Sequence, residues 1–285
     1  GQTPQVVPAD RKLYSLRDVT GTVECIPLIC ASIMSKKLAE GIDSLVLDVK
    51  FGKGAFMKKK EDALILARAM VATGKAGGKP VRAVLTAMNQ PLGHAAGHTT
   101  EVIESIECLK GRGPADLMEV TYALTGHMLI LGGLAKTEAE ARRKMEAAIA
   151  DGSALQKFRD MCTAQGGDAK VVDDYKILPT AKKLLEVKAG ASARGFVSGV
   201  DALKCGHAIM ALGGGRAAVT DKIDHAVGIA GLIKIGAPVS AGTLLCTLHV
   251  NDDAKGARAE ALIREAVQFS PTAPALEPLI QDLIE

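Results

Sequence analysis

The sequence predicts an α/β protein: a parallel-containing mixed sheet with a helical layer, plus an α+β C-terminal domain. Three observations carry this. Two short apolar, β-branched runs, residues 44–49 and 81–88, flank a segment of helical periodicity at residues 60–75. Strand, helix and strand at that spacing make a right-handed crossover and a parallel pair. Residues 97–166 read as a mostly helical layer, and after Asp168 the chain is broken by Pro and Gly and enriched in β-branched residues.

The elements follow in order. The opening GQTPQVVPAD reads as an extended, Pro-containing run, with strong patterning from Lys12. Ile26, Ile29, Ile33 and Leu38 recur at roughly helical spacing, with Gly41 as a stop and Thr20 or Thr22 as candidate caps. Pro27 fits a first turn. SLVLDV is a buried strand, and KFGKGAF is a glycine-containing loop directly after it. KEDALILARAMVATGK is a helix and VRAVLTAM the second strand. QPLGHAAGH leads into a helix near residues 98–111, with Thr99 or Thr100 as cap. Further helices run through ADLMEVTYALTGHMLILGG, TEAEARRKMEAAIADG and SALQKFRDMCTAQGG. VDALKCGHAIMALGGG is a helix with a glycine end. LIKIGAPVSAGTLLCTLHVND holds short strands between turns, and a last helix covers about residues 257–267.

Composition narrows the function. A net charge of +3 in 285 residues gives no reason to expect nucleic acid or an anionic membrane as partner. At 3% aromatic residues and no Trp, the chain is poorly made for stacking bases of single strands. Charges interrupt every long apolar run, so no transmembrane helix is expected. Six scattered cysteines without a CxxC pair read as reduced thiols of a cytoplasmic protein.

Ser32 and Lys36 are four apart, so on a helix they project from one face, and Arg17 precedes them. A hydroxyl between two cations suits a small planar ligand with several carbonyl oxygens, although polar pairs at this spacing are also common on solvated helix surfaces. Asp48 and Lys50 end a strand beside the glycine loop, where ordinary strand-end polarity explains them as well as a supporting role. His94 and His98 are also four apart but lack the HExxH form of a zinc site. LGGGR does not follow a strand as a dinucleotide loop does.

The stretch LRDVTGTVECIPLICASIMSKKLAEGIDSLVLDVKFGKGAF resembles the signature region of the thymidine phosphorylase and pyrimidine-nucleoside phosphorylase family. The likeness continues through AMNQPLGHAAGHTTEVIESIECLKGRGPADL and VDALKCGHAI and covers essentially the whole chain. The resemblance implies that Arg17, Ser32 and Lys36 bind the pyrimidine, with Arg17 and Lys36 as the catalytic pair, and that Phe56 packs against the base. It implies phosphorolysis of thymidine, and of uridine, to free base and sugar 1-phosphate, with inorganic phosphate as co-substrate and no required cofactor. A structural cation would be held by the carbonyls of Leu92 and Ala95 and by Glu104. Family members are homodimers through a small helical domain.

The resemblance also implies a division: residues 1–41 as the return segment of that small all-α domain, 42–168 as the α/β core and 169–285 as the C-terminal α+β domain. The family's glycine-rich phosphate loop has no counterpart here, so an N-terminal portion is expected on a separate chain or as a lost segment, and the isolated chain is expected to be inactive. Two other readings stand beside this one. A nucleoside-monophosphate phosphorylase shares the fold. GAPVSAGTLL resembles the turns of biotinyl or lipoyl carrier domains, which makes a non-catalytic binding module the reading from another class.

Overall fold

A computed structural model describes residues 7–216 and 220–285. It divides into two compact units. The first holds the described residues up to Ala87 together with Val120–Met145 and Pro278–Glu285; the second holds the described residues of Met88–Glu119 and Glu146–Glu277.

In the first unit, helix α1 (Pro8–Thr20) is followed by α2 (Ile26–Ala39). This corrects the opening of the sequence reading: Pro8 and Asp10 belong to the first turn of a helix, not to an extended run. Proline fits there because its missing N–H has no helical partner in the first turn. Residues 1–6 of that run lie outside the described residues. Gly21 closes α1 at φ 65°, its N–H reaching Arg17 O. Pro27 does sit in the first turn of α2, but Cys25 holds the cap position and neither threonine caps it. Thr20 instead donates to Leu16 O at 2.9 Å within α1.

Strand β1 (Leu45–Phe51), helix α3 (Lys60–Ala76) and strand β2 (Val81–Ala87) form the expected crossover. The two strands are parallel, with Asp48 opposite Val84 and Lys50 opposite Thr86. β10 (Ile280–Ile284) adds antiparallel to the other edge of β2, making the sheet mixed in the order β1-β2-β10. Between the sheet and α2 and α3 lies a core of Cys30, Met34, Val49, Phe51, Leu66, Met70, Val81 and Leu85. Gly74 lets α3 pack closely there: a Cβ on it would fall 2.1 Å from Val81 Cγ2 and 3.3 Å from Met34 Cε.

The second unit contains β3 (Ala96–Gly97), α4 (Thr99–Leu109) and α7 (Ser153–Ala164). Helices α5 (Ala115–Leu131) and α6 (Glu138–Ala150) carry the chain between the units. His98 holds the cap position of α4, so the proposed threonine caps are corrected too. Thr100 Oγ1 donates to Ala96 O at 3.0 Å. Two 3-10 turns, Ala169–Val172 and Tyr175–Ile177, precede β4 (Lys183–Lys188), β5 (Arg194–Val200) and α8 (Ala202–Leu212). Then come β6 (Gly228–Ala230), β7 (Pro238–Ser240), β8 (Leu244–Val250), α9 (Asp253–Ala266) and β9 (Val267–Ser270). They build two antiparallel sheets, β3-β6-β8-β4 and β7-β5-β9. Val197, Ile229, Leu232, Leu245, Leu248 and Ile263 fill the core they share with α8 and α9. α9 begins earlier than its apolar pattern indicates because Asp252 caps it, accepting from Lys255 N at 2.9 Å.

Candidate active site

Ser32 and Lys36 lie on one face of α2, where the i,i+4 spacing places them. Lys36 Nζ donates to Ser32 Oγ at 2.9 Å. It also donates to Asp10 Oδ2 at 2.6 Å, across from α1. Asp10 is 8% exposed, Ser32 8% and Arg17 6%, so three polar side chains are buried beside a lysine whose side chain keeps 25% of its surface. An ammonium has three N–H donors. Among the described residues two of Lys36's are engaged, which leaves one for a ligand.

Arg17, in the last turn of α1, folds its guanidinium over the α1–α2 turn. Nε donates to Thr22 O at 3.3 Å and a terminal nitrogen donates to Val23 O. Tyr14 lies under the guanidinium, 5.1 Å from the ring centre. Burial pushes the Asp10 carboxyl upward, but hydrogen bonds from Lys36 and Ser32 and the nearby charges of Lys36 and Arg17 outweigh it and hold the carboxyl below its usual range. Two cations and one buried carboxylate therefore share this corner of the first unit. The structure brings Ser32 and Lys36 into direct contact and ties Arg17 to them through the field of Asp10. Phe56 stands in the loop after β1, 65% exposed, its ring facing solvent.

That loop is shaped by Gly52, at φ 117°, whose N–H reaches Met57 O at 3.0 Å. Beside it, at the carboxyl ends of the parallel strands, Lys50 Nζ meets Asp48 Oδ2 at 2.7 Å and donates to Thr86 Oγ1 at 3.1 Å. Thr86, 1% exposed, donates in turn to Asp48. The register explains the cluster: Asp48 and Lys50 share a face of β1, and Thr86 stands opposite Lys50 on β2. Carboxyl ends of parallel strands are where open α/β sheets hold ligands.

The proposed cation ligands lie in the second unit. Glu104, on α4, accepts from His94 N at 2.8 Å and packs over Gly93, where an added Cβ would meet its Oε2 at 2.2 Å. Ala95 is buried and Leu92 half-buried. In the same turn Lys234 Nζ reaches Pro91 O at 2.5 Å, Gly93 O at 2.9 Å and Asp116 Oδ2 at 2.6 Å. Burial pushes the Asp116 carboxyl up, but Lys234 together with the N–H groups of Leu117 and Gly93 more than offsets it and lowers it. The two histidines are occupied by backbone: His94 Nδ1 lies 2.7 Å from Leu232 O and His98 Nε2 lies 2.9 Å from Gly214 O. Among the described residues no three His, Cys, Asp or Glu side chains converge as metal ligands.

Sequence reasoning missed Asp10 and Thr86. Asp10 has a readable signal, an acidic residue two places after a helix-starting proline, but reading the opening as extended hid it. Thr86 has none, because threonine is an ordinary strand residue.

Residues 1–155 match the family described as "Glycosyl transferase family, a/b domain", and residues 196–270 match "Pyrimidine nucleoside phosphorylase C-terminal domain". The chain belongs to the thymidine and pyrimidine-nucleoside phosphorylase family. It is 50% identical over 251 residues to a pyrimidine-nucleoside phosphorylase of Bacillus subtilis, covering 88% of this chain and 58% of that protein. To one of Geobacillus stearothermophilus it is 46% identical over 288 residues, covering 100% of this chain and 65% of the relative. A third, from Staphylococcus haemolyticus, is 49% identical over 251 residues, 88% of this chain and 58% of the relative. The chain thus spans 58–65% of the length of the curated relatives it matches. The phosphorylase match at residues 196–270 includes GAPVSAGTLL, so the carrier-domain reading is not favoured.

Proposed function

We propose that this chain serves the phosphorolysis of pyrimidine nucleosides, thymidine and uridine, with inorganic phosphate as co-substrate. The observation that carries the reading is the buried corner where Lys36, Ser32 and Asp10 interlock and Arg17 adds a second cation. In such a reaction a phosphate oxygen bonds to the sugar's anomeric carbon and the bond to the base nitrogen breaks. The electron pair leaves with the base, and its charge spreads onto the two carbonyl oxygens. Lys36 and Arg17 supply fixed positive charge for those oxygens. Donors preorganised toward developing charge are worth roughly 3–4 kcal/mol each at a good site. Ser32 both donates and accepts, which matches the alternating edge of uracil or thymine. Phosphate is itself the nucleophile, so the reaction asks for no nucleophilic side chain and no cofactor.

Phe56, exposed on the loop after β1, is proposed to cover the base. We further propose that residues 1–41 belong to a small helical domain, 42–168 to the α/β core and 169–285 to the C-terminal domain, and that the protein is a cytoplasmic homodimer. Supporting the location, all six cysteines are free, and among the described residues no helix is long and apolar enough to cross a membrane.

A structural cation on the Leu92 and Ala95 carbonyls and Glu104 is likewise proposed. The donors are all oxygen, which suits a hard cation. The neighbouring carbonyls of Pro91 and Gly93 already converge on the Lys234 ammonium.

The test is an assay of the full-length protein with thymidine or uridine. Free thymine or uracil should appear only when phosphate is present, with an equal amount of sugar 1-phosphate. Base release that does not depend on phosphate, or none at all, overturns the reading.

A further inference from the structure

We propose that Asp10 is a positioning residue that fixes the Lys36 ammonium against Ser32 so that its remaining N–H faces the pyrimidine. This inference rests on the phosphorylase reading and adds to it a residue from a different helix. Three facts support it. Asp10 is a buried carboxylate on α1, and the atom it contacts, Lys36 Nζ, belongs to the following helix. The contact is short, 2.6 Å, while the Asp10 side chain keeps only 10% of its surface. Ser32 and the charge of Arg17 also act on the same carboxyl, both favouring its ionised form, so it is coupled to every polar residue of the corner.

The physical case concerns freedom of motion. A lysine side chain has four rotatable carbons and a strongly hydrated head, and it wanders unless held. Ser32 alone gives it one bond from its own helix. Asp10 adds a second, charge-assisted bond from outside that helix. Two anchors in different directions define where the third N–H points, as one does not. The carboxylate also offsets the cost of holding Lys36 and Arg17 close together in a buried corner, since like charges repel without it. A catalytic cation displaced by about 1 Å loses on the order of 100-fold in rate.

The test uses the full-length protein and four variants: Asp10→Asn, Asp10→Glu, Lys36→Ala and the double variant Asp10→Asn with Lys36→Ala. Asp10→Asn should lower kcat by about 10- to 100-fold with KM changed less than threefold. Asp10→Glu should restore part of that loss. With Lys36 already removed, Asp10→Asn should cost almost nothing further, because both changes act through one group. Losses that simply multiply in the double variant, or an unchanged kcat in Asp10→Asn, overturn the proposal and leave the phosphorylase reading intact.

A second measurement needs no turnover. Acylation of lysines followed by mass spectrometry should show Lys36 labelled several-fold faster in Asp10→Asn, with Lys59 and Lys79 unmoved. An unchanged Lys36 rate shows that Asp10 does not hold it. A wild-type protein without phosphorolysis overturns the underlying reading and the catalytic half of this one, while the labelling still decides the anchoring.

Discussion

Gly74→Ala adds one methyl group to helix α3, and in an exposed helix that change is stabilising by about 1 kcal/mol. Here the methyl has nowhere to go. It would sit 2.1 Å from Val81 Cγ2, 3.2 Å from Val81 Cβ and 3.3 Å from Met34 Cε. Carbon atoms rest at roughly 3.5–4.0 Å, so the two elements must part by more than about 1 Å. Neither neighbour can yield freely: Val81 is 3% exposed at the start of β2, and Met34 is 1% exposed on α2. Overpacking of this kind costs about 1–3 kcal/mol, which cancels or exceeds the helix gain and leaves a net loss of up to about 2 kcal/mol. Gly206→Ala in α8 is the control, because nothing lies within 4 Å of a Cβ there. Urea unfolding and native-state hydrogen exchange of the β2 amides read both variants. Gly206→Ala should gain up to about 1 kcal/mol. Gly74→Ala should lose stability, with β2 amides exchanging up to about 30-fold faster. Equal stabilisation by the two alanines would refute the packing argument. The outcome bears on the site as well, since Met34 lies between Ser32 and Lys36 on α2.

Three further outcomes follow from the geometry. Under the proposed function, Lys36→Ala in the full-length protein should lower kcat by about 100-fold or more while KM moves less, since a cation that meets developing charge acts in the transition state; a change confined to KM would remove the proposed leaving-group role. His127, buried in α5 with Nδ1 3.3 Å from an Arg82 nitrogen, is depressed by burial first and by Arg82 second. The fold therefore keeps it neutral, and its contribution to stability is present above the unfolded value near pH 6.5 and lost as pH falls below it. Proton NMR should find its midpoint below about 6.5, and a midpoint above that value would contradict the arrangement. Lys234→Met should destabilise the second unit by about 1–3 kcal/mol, because it removes the counter-charge of Asp116, which keeps only the N–H groups of Gly93 and Leu117, and the ammonium donor of two carbonyls; unchanged thermal unfolding would show that water replaces the ammonium without loss.

Much of the architecture was legible because it rests on periodicity. The apolar spacing from Lys60 to Lys75 and the β-branched runs on either side of it specify α3, β1 and β2 and their parallel pairing. Three features were not legible, each for its own reason. The third strand of that sheet, β10, is five residues long, and its partner β2 lies far back along the chain, so no local pattern announces the pairing. β3 and β6 are two and three residues long, too short to carry any alternation. Cap positions went to Cys25 and His98 because backbone geometry, not side-chain oxygen, closes those helix starts. At the site, the i,i+4 rule placed Ser32 beside Lys36 from spacing alone. The place of Asp10 in a helix start was readable from Pro8, but its contact with Lys36 was not, since that depends on how α1 packs against α2.

The discontinuity of the first unit has a consequence for biosynthesis. Lys60 reaches Gln281, 221 positions further along, and Ile280 pairs with Thr86, with the whole second unit encoded between them. A ribosome delivers β1, α3 and β2 early but supplies their third strand only after the insertion has emerged. The inserted unit can therefore reach its native state first, while the earlier segment waits with one edge of β2 unpaired. An open strand edge is the feature by which nascent chains associate wrongly. Chaperone dependence during synthesis should accordingly track the delay before β10 appears, and it should fall in a circular permutant opened between β2 and β3, in which β10 is made before β2.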